Sequence, residues 1–345
     1  MTDTVNCENE SPEALIGRIF PLFFDGTPAH IETIDSSRGE NDFRITFIID
    51  AAEGGKAVIK LASNDFTFPE KISMWARTVD EYRALGYYCP GIFCDKSGGY
   101  PTVRYRGRDC VVFAEEFSKY GAYERRLEFA EGESMADNRV YYEDIWSMTA
   151  KIAAKHFDYT EYPSAYCLFQ TFCPSDETDE VLENALEWKK LADSLPAEFS
   201  DLAQRIWSLW CDNRAELEKV YPSLPTSVFQ ADLNSTNLLI DAEGRFMGVY
   251  DFNLCGRDVF LNYLMREADG LDGIREALKI SSRYYAFSEE EKAAALPMYR
   301  CLVPLWWGSR HDLKEAGQDR GAISRCLDRT EEALTKDIDF RSFME

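Results

Sequence analysis

Three polar residues in one short stretch have types and spacing suited to phosphoryl-transfer chemistry. Asp232, Asn237 and Asp251 lie in the run SVFQADLNSTNLLIDAEGRFMGVYDFN, which begins at residue 227. The apolar residues after Asn237 predict a strand, residues 241–244 predict a turn, and the returning strand ends at Asp251. Because a hairpin brings its two ends together, we expect Asn237 and Asp251 at the same end, with Asp232 nearby on the preceding loop.

Phosphoryl transfer needs little covalent help from a protein, but it needs a cation for the polyphosphate and an acceptor for the hydroxyl proton. Magnesium prefers hard oxygen ligands, which a carboxylate and an amide carbonyl supply. The pattern predicts Asn237 and Asp251 as magnesium ligands and Asp232 as the base. Any one of these residues is more often a turn or cap residue. The three together, on a strand-turn-strand frame, favour catalysis.

The first third of the chain predicts a small antiparallel sheet with an embedded helix. A proline follows Ser11 and predicts a helix start, and the alternation of apolar and polar residues over 43–49 indicates a strand. Further strands are predicted at 29–34, 57–61, 102–105 and 109–117, and a helix at 69–85. The part of the chain from about residue 118 is mainly helical in pattern. Its predicted helices are 140–156, 178–193, 197–220, 258–283 and 289–306, interrupted by a β-rich insert at 227–252.

Composition excludes several classes of partner. The 345 residues carry 61 acidic and 38 basic side chains, a formal net charge of -23. Nucleic acids and anionic membranes require basic surfaces, so neither is expected as a partner. A cationic substrate is compatible with this charge, although an acidic, soluble surface is the commoner reason for it. The polar N-terminus (residues 1–10), the scattered cysteines and the lack of a run of about 20 apolar residues favour a cytoplasmic protein without a membrane span.

The 229–252 block resembles the Brenner-type loop of the aminoglycoside phosphotransferase / choline kinase family. That signature reads His-Gly-Asp, four residues, Asn, and then a hairpin ending Asp-Trp or Asp-Phe. Members are similar in fold to protein kinases and phosphorylate small molecules with ATP. By this resemblance Asp232 matches the catalytic aspartate, Asn237 and Asp251 match the two metal ligands, and Phe252 takes the aromatic place.

The resemblance therefore implies an α+β, protein-kinase-like, two-lobed fold. The N-lobe, residues 1–117, is a small antiparallel sheet that binds nucleotide. The larger, mainly helical C-lobe, residues 118–345, carries the catalytic loop and binds the substrate. ATP and magnesium are the implied cofactors, and the implied acceptor is a hydroxyl of an aminoglycoside-, choline- or amino-sugar-like molecule.

The chain departs from the family pattern at several positions. Gln230 stands where the family usually has histidine, and Ala231 stands where it has glycine. Asp258 lies near the family's Gly-Asp-Pro without the proline, and Asn262 replaces a later aspartate. The histidine hydrogen-bonds the loop backbone in the family. Glutamine can donate and accept such bonds, so this substitution is compatible with the mechanism.

A kinase-like N-lobe also requires a strand lysine that reaches the phosphates and a helix carboxylate that holds the lysine. Lys60, in Ala-Val-Ile-Lys-Leu, and Glu81, in the following helix, occupy these places in the right order. Taken singly, a lysine at a strand end and a glutamate on a helix are more often solvated. The loop at 36–41, with Gly39 and Asn41, resembles the family's phosphate-covering turn.

Glu115, Glu116 and Phe117 close the last strand of the N-lobe. In kinases this segment connects the two lobes and offers backbone groups to adenine, so the resemblance implies a nucleotide contact here. Two adjacent acids are equally typical of a plain linker.

Two aromatic pairs bear on the substrate. Tyr284-Tyr285 and Trp306-Trp307 lie on predicted C-terminal helices. Aromatic faces attract quaternary and protonated amines, and choline-type relatives use C-terminal aromatics in this way. Aromatic pairs on helices are more often core packing, and both interpretations remain open at the level of sequence.

Two alternatives compete with an active kinase. A pseudokinase that binds nucleotide or a partner is suggested by Gln230 and by the altered run at 255–262. A metal-dependent hydrolase built on Asp232 and Asp251 explains neither Lys60 nor its helix glutamate. The sequence specifies neither the acceptor nor the choice between ATP and GTP.

Overall fold

The computed structural model describes residues 10–52, 54–124 and 138–345, so the polar segment 1–9 lies outside the described residues. The helices are α1 Pro12–Phe23, α2 Pro69–Ala84, α3 Tyr142–Ala153, α4 Glu180–Asp193, α5 Ser200–Val220, α6 Phe260–Glu267, α7 Gly270–Ser281, α8 Glu289–Leu302, α9 Trp307–Ala316 and α10 Arg320–Thr335. The strands are β1 Pro28–Asp35, β2 Phe43–Ala51, β3 Lys56–Ser63, β4 Ile92–Phe93, β5 Thr102–Tyr105, β6 Arg108–Glu116, β7 Gly121–Ala122, β8 Thr226–Phe229, β9 Leu238–Ile240, β10 Phe246–Val249 and β11 Gly256–Val259.

The chain forms two compact units. The first unit consists of Met1–Ala136, Cys173–Ser175 and Ser235–Asn253. The second unit consists of Asp137–Phe172, Asp176–Asn234 and Leu254–Glu345. The sequence alone places the boundary at residue 117 and assigns the predicted hairpin to the second lobe, whereas the compact units group that hairpin with the first.

The first unit is built on an antiparallel sheet with the strand order β1-β2-β3-β6-β4, and β5 pairs with β6. The apolar side chains of β2 point alternately into the core, as its sequence predicts. Helix α1 begins as expected, because the Ser11 side chain accepts the Ala14 N–H and Pro12 occupies the first turn. Its apolar face, which includes Ile16 and Phe20, is buried in the same core as β2 and β3.

A second sheet of the first unit, in the order β10-β9-β7, contains the predicted hairpin. Its return strand lies against the segment that follows α2: the Tyr88 N–H donates to Met247 O (2.8 Å), and the Val249 N–H donates to Tyr88 O (3.1 Å). A Cβ added to Gly248 would lie 1.9 Å from Tyr88 O. This contact therefore requires glycine.

The second unit is mainly helical, as predicted, with β8 and β11 paired antiparallel. The helix predicted over 258–283 differs from the structure, because it begins as β11 and is divided into α6 and α7. The backbone leaves the helical region at Ala268, and the positive φ of Gly270 follows. Helices α9 and α10 lie beyond the helical patterns found in the sequence. None of the helices among the described residues is long and apolar enough to span a membrane.

Candidate functional site

The hairpin of the first unit brings Asn237 and Asp251 to its open end. Leu238 pairs with Val249, and the Tyr250 N–H donates to the carbonyl of Asn237 at 3.1 Å. Asn237 is buried, and Asp251 has a φ of 61°. A positive φ is uncommon outside glycine, and aspartate is one of the residues that adopt it more readily.

A pocket of the first unit collects charged groups from several elements. Its lining includes Arg44, Lys60, Glu115 and Asp251 together with the ring of Phe252. Both ammonium and guanidinium groups can bind phosphate oxygens, and a carboxylate can hold a divalent cation. This pocket therefore has the two kinds of charge that a metal-bound polyphosphate requires.

Lys60 forms an ion pair with Glu115 in this pocket, with Nζ 2.8 Å from Oε2 and with 22% and 14% of the two side chains exposed. Burial opposes the charged form of Lys60, but the carboxylates of Glu115 and Asp251 more than offset this cost. The pKa of Lys60 is therefore raised above its ordinary value. An ammonium group with such neighbours stays charged at neutral pH.

Glu115 rather than Glu81 is thus the carboxylate that pairs with Lys60. The reason is strand register: Lys60 lies opposite Phe113, and residues two apart on a strand share a face, so Glu115 points to the same side as the lysine. Glu81 is half-buried on α2 and is not among the described residues that line the pocket. Periodicity within one strand does not reveal a register between two, so the sequence did not predict this pair.

The loop that precedes β2 contributes Ser36 to the pocket lining, whereas Gly39 and Asn41 are exposed on its outer part. Gly39 has a φ of 73°, as expected for a tight turn. Arg44, at the start of β2, forms an ion pair with Asp42 at 2.8 Å. The sequence did not identify Arg44, which adds a second cation to the pocket.

Of the other residues predicted at the end of β6, Glu116 is engaged in contacts within the first unit. It accepts hydrogen bonds from Arg83 (2.9 Å), from the Tyr88 hydroxyl (2.9 Å) and from the Gly91 N–H (3.2 Å). The ring of Phe117 is partly exposed, and the Lys56 ammonium lies 5.4 Å from its centroid. These side chains therefore hold the segment in place. The nucleotide contact predicted from the sequence concerns the backbone groups of this segment, not its side chains.

In the second unit, Gln230 holds the loop that carries Asp232. Gln230 is fully buried, and its Oε1 accepts the Asp232 N–H at 2.7 Å. Asn234 donates to Asp232 Oδ1 at 2.5 Å. Ala231 has a φ of 63°, a conformation that glycine adopts without strain. Glutamine thus makes the kind of backbone contact expected at this position.

A carboxylate that the sequence did not identify lies beside this loop. Glu267, the last residue of α6, accepts the Leu233 N–H at 3.0 Å. Burial, with a further contribution from the charge of Asp232, raises the pKa of Glu267 to about 8, although the Leu233 N–H and the nearby Arg266 act in the opposite direction. Glu267 is a helix-terminal residue more than thirty positions from the loop, so only the fold reveals this contact.

Arg266 occupies an aromatic cage next to Glu267. Its guanidinium carbon lies 4.3 Å from the ring centroid of Tyr166 and 3.9 Å from that of Trp306, and its Nη2 pairs with Glu180 at 2.7 Å. The ring of Trp306 is therefore already covered by an internal cation. Trp307 is 55% exposed and shares a pocket of the second unit with Glu180, Glu183 and Arg310.

The pair Tyr284-Tyr285 also has one enclosed member and one more exposed member. Tyr285 is buried and donates to Glu291 at 2.9 Å, whereas Tyr284 is partly exposed. Tyr285 is thus a core residue.

Asp258 and Asn262 belong to a buried hydrogen-bond network. The buried Asp258 carboxylate accepts hydrogen bonds from Ser164 (2.7 Å), Tyr221 (3.1 Å), Asn262 (2.9 Å) and the Val259 N–H (2.7 Å). Burial nevertheless raises the pKa of Asp258 to about 6. These bonds join β11 to α6 and to the segment before α4, so Asp258 anchors the second unit.

The fold is protein-kinase-like, and the family to which the chain belongs is one of phosphotransferases. Residues 37–262 match the phosphotransferase enzyme family, APH. This match covers more than half of the chain, which therefore belongs to that family. No curated protein matches the chain.

The solved structures that are similar to this chain are distant in sequence. The amicoumacin kinase hAmiN, in complex with AMP-PNP, Ca²⁺ and Ami, is 12% identical with a TM-score of 0.51 and matches over 96% of this chain and 97% of its own. The ethanolamine kinase of Plasmodium vivax is 12% identical over 91% of this chain and 84% of its own, with a TM-score of 0.45. Macrolide 2'-phosphotransferase MphH from Brachybacterium faecium is 14% identical over 94% and 98%, with a TM-score of 0.44. At 12% identity the likeness to the amicoumacin kinase shows the fold alone.

Proposed function

We propose that this enzyme transfers the γ-phosphoryl group of ATP, with magnesium, to a hydroxyl of a small cationic molecule. The observation that carries the proposal is the pocket of the first unit, where Lys60 and Asp251 lie in one charged environment. A phosphate-binding cation and a metal-binding carboxylate in the same pocket are the groups that binding of a metal–nucleoside triphosphate complex requires.

In this proposal Lys60 binds the α- and β-phosphates, and Asn237 and Asp251 hold the metal. Their amide and carboxylate oxygens are the hard ligands that magnesium prefers, and the hairpin register brings them to one end. Bound magnesium would neutralise charge on the polyphosphate. The loop with Gly39 and Asn41 would cover the phosphates, and the backbone of residues 115–117 would contact the base.

Asp232 is the proposed base that accepts the proton of the acceptor hydroxyl. Its loop backbone is fixed by Gln230, so the substitution that suggests a pseudokinase retains the expected contact. A positioned carboxylate of this kind contributes roughly 10²–10⁴-fold to a rate.

The acidic surroundings of Asp232 support a cationic acceptor. The negative charges of Asp232 and Glu180 both raise the pKa of Glu267. A protonated amine bound beside the Asp232 carboxylate would gain charge-assisted hydrogen bonds. Amino sugars and amino alcohols carry both the amine and the hydroxyl.

We also propose a cytoplasmic location, on the basis of the sequence pattern described above.

The test is a nucleotide-consumption screen with magnesium across amino alcohols, sugars and aminoglycosides. We expect acceptor-dependent formation of a phosphorylated product, and a loss of a hundredfold or more in Asp232→Asn. Asp201→Asn, an exposed change on α5, is the matched control. If magnesium-ATP binds but the screen yields no phosphorylated product, the chain is a nucleotide-binding module instead.

A further inference from the structure

We infer that Glu115 is the positioning residue of the nucleotide site and holds the Lys60 ammonium where the phosphates bind. This inference rests on the proposed function and concerns its nucleotide half. The sequence suggested that Glu81, on α2, holds Lys60. The inference assigns this role to Glu115, on a strand, instead.

The first support is geometric. Lys60 and Glu115 lie on hydrogen-bonded neighbouring strands, in a ladder that pairs Lys60 with Phe113 and Val58 with Glu115. Their charged atoms are 2.8 Å apart, and both residues line the pocket that contains Asp251. The backbone hydrogen bonds of the sheet therefore place the two side chains on one face, within reach of each other.

The second support is the chemistry of the ammonium group. A lysine ammonium has three donors and no acceptor. One donor bonds to Glu115, which leaves two for phosphate oxygens. Lysine is also a flexible side chain whose immobilisation costs conformational entropy. A carboxylate that holds the ammonium before the nucleotide arrives removes part of that cost from binding.

Glu115 could instead obstruct nucleotide binding, and this alternative predicts a different change in affinity. As a second carboxylate near Asp251, Glu115 adds negative charge to a pocket that must accept phosphates. If it only occupied Lys60 and repelled the nucleotide, replacing it with glutamine would tighten binding. The sign of the change in affinity thus separates positioning from obstruction.

The experiment measures binding of magnesium-ATP and of adenosine by titration calorimetry. We expect Glu115→Gln to weaken magnesium-ATP by roughly tenfold or more, the usual effect of losing a charge-assisted hydrogen bond. Adenosine has no phosphate, so its affinity should not change. Glu115→Asp keeps the charge and should restore part of the affinity. A pocket that was merely damaged would lose adenosine as well.

A double-mutant comparison tests whether Glu115 acts through Lys60. Lys60→Met should weaken magnesium-ATP, and adding Glu115→Gln to it should have no further effect. The double variant also removes both buried charges, so it remains informative if Glu115→Gln alone folds poorly. An additive loss would overturn the inference, as would unchanged or tighter binding in Glu115→Gln. Coupling of Lys60 to Glu81→Gln instead of to Glu115→Gln would assign the task to α2.

These readouts separate the two proposals. The inference is decided by nucleotide affinity, whereas the proposed function is decided by phosphoryl transfer to an acceptor. Wild-type protein that binds no magnesium-ATP overturns both. Protein that binds magnesium-ATP and shows the Lys60–Glu115 coupling, but phosphorylates nothing, overturns the transfer reaction alone.

Discussion

Replacement of Glu267 by glutamine should change how the stability of the protein depends on pH. Glu267 has its pKa raised to about 8, because burial and the charge of Asp232 both disfavour the carboxylate. A raised folded-state pKa means that the folded protein binds the proton more tightly than the unfolded chain. The stabilisation is therefore complete below the unfolded pKa near 4.5 and is lost as pH rises towards 8.

The size of the effect follows from linkage. While the folded protein holds one more proton than the unfolded chain, the free energy of unfolding falls by about 1.4 kcal/mol per pH unit. Because Glu267 is already partly ionised at pH 7.5, the wild-type protein should lose about 2.5 kcal/mol relative to Glu267→Gln between pH 5.5 and 7.5. Glutamine is neutral at both values, and its side-chain oxygen can still accept the Leu233 N–H.

The assay is urea denaturation at both pH values, followed by tryptophan fluorescence. The exposed change Glu276→Gln on α7 is the control and should shift the wild-type curve equally at the two pH values. A difference between wild type and Glu267→Gln that is the same at pH 5.5 and 7.5 would refute the reasoning. It would mean that the Glu267 carboxylate is charged at little cost, and that its proximity to Asp232 has no energetic effect.

Two further substitutions test structural contacts. Gly248→Ala should destabilise the protein by about 3 kcal/mol or more, because the new Cβ would meet Tyr88 O, whereas Gly244→Ala, at an open turn with positive φ, should cost about 1 kcal/mol. Similar losses for the two glycines in thermal denaturation would contradict the close approach at Gly248. Asp258→Asn introduces an amide donor among groups that already donate, and should cost roughly 2–4 kcal/mol with no pH dependence of its own. A wild-type denaturation midpoint would show that Asp258 does not anchor the second unit.

The sequence predicted those features that local patterns encode. The alternation in β2 and the turn at 241–244 specified the sheet and the hairpin, and both are confirmed by the structure. The kinase-like fold and the family are also confirmed. A hairpin is a local structure, so the convergence of Asn237 and Asp251 at its open end required no long-range information.

Features that depend on tertiary pairing were not predicted. Strand β11 is short and is defined by its ladder with β8, and the helical pattern that follows it hid its presence in the sequence. The partner of Lys60 depends on the register between β3 and β6, and the burial of Glu267 depends on its contact with Leu233. In each case the deciding neighbour lies far away in sequence, where composition and periodicity carry no signal.

The assignment of Ser235–Asn253 to the first unit has a consequence for biosynthesis. Strand β7 pairs with β9, whose residues follow more than a hundred positions later. A nascent chain that emerges from the ribosome therefore cannot complete its first unit until β9 and β10 have been translated. Until then the edge of β7 has no strand partner from the hairpin, and such edges are prone to wrong association. A fragment that ends near residue 136 would contain Lys60 and Glu115 but neither Asn237 nor Asp251, so an N-terminal fragment would lack part of the proposed nucleotide site.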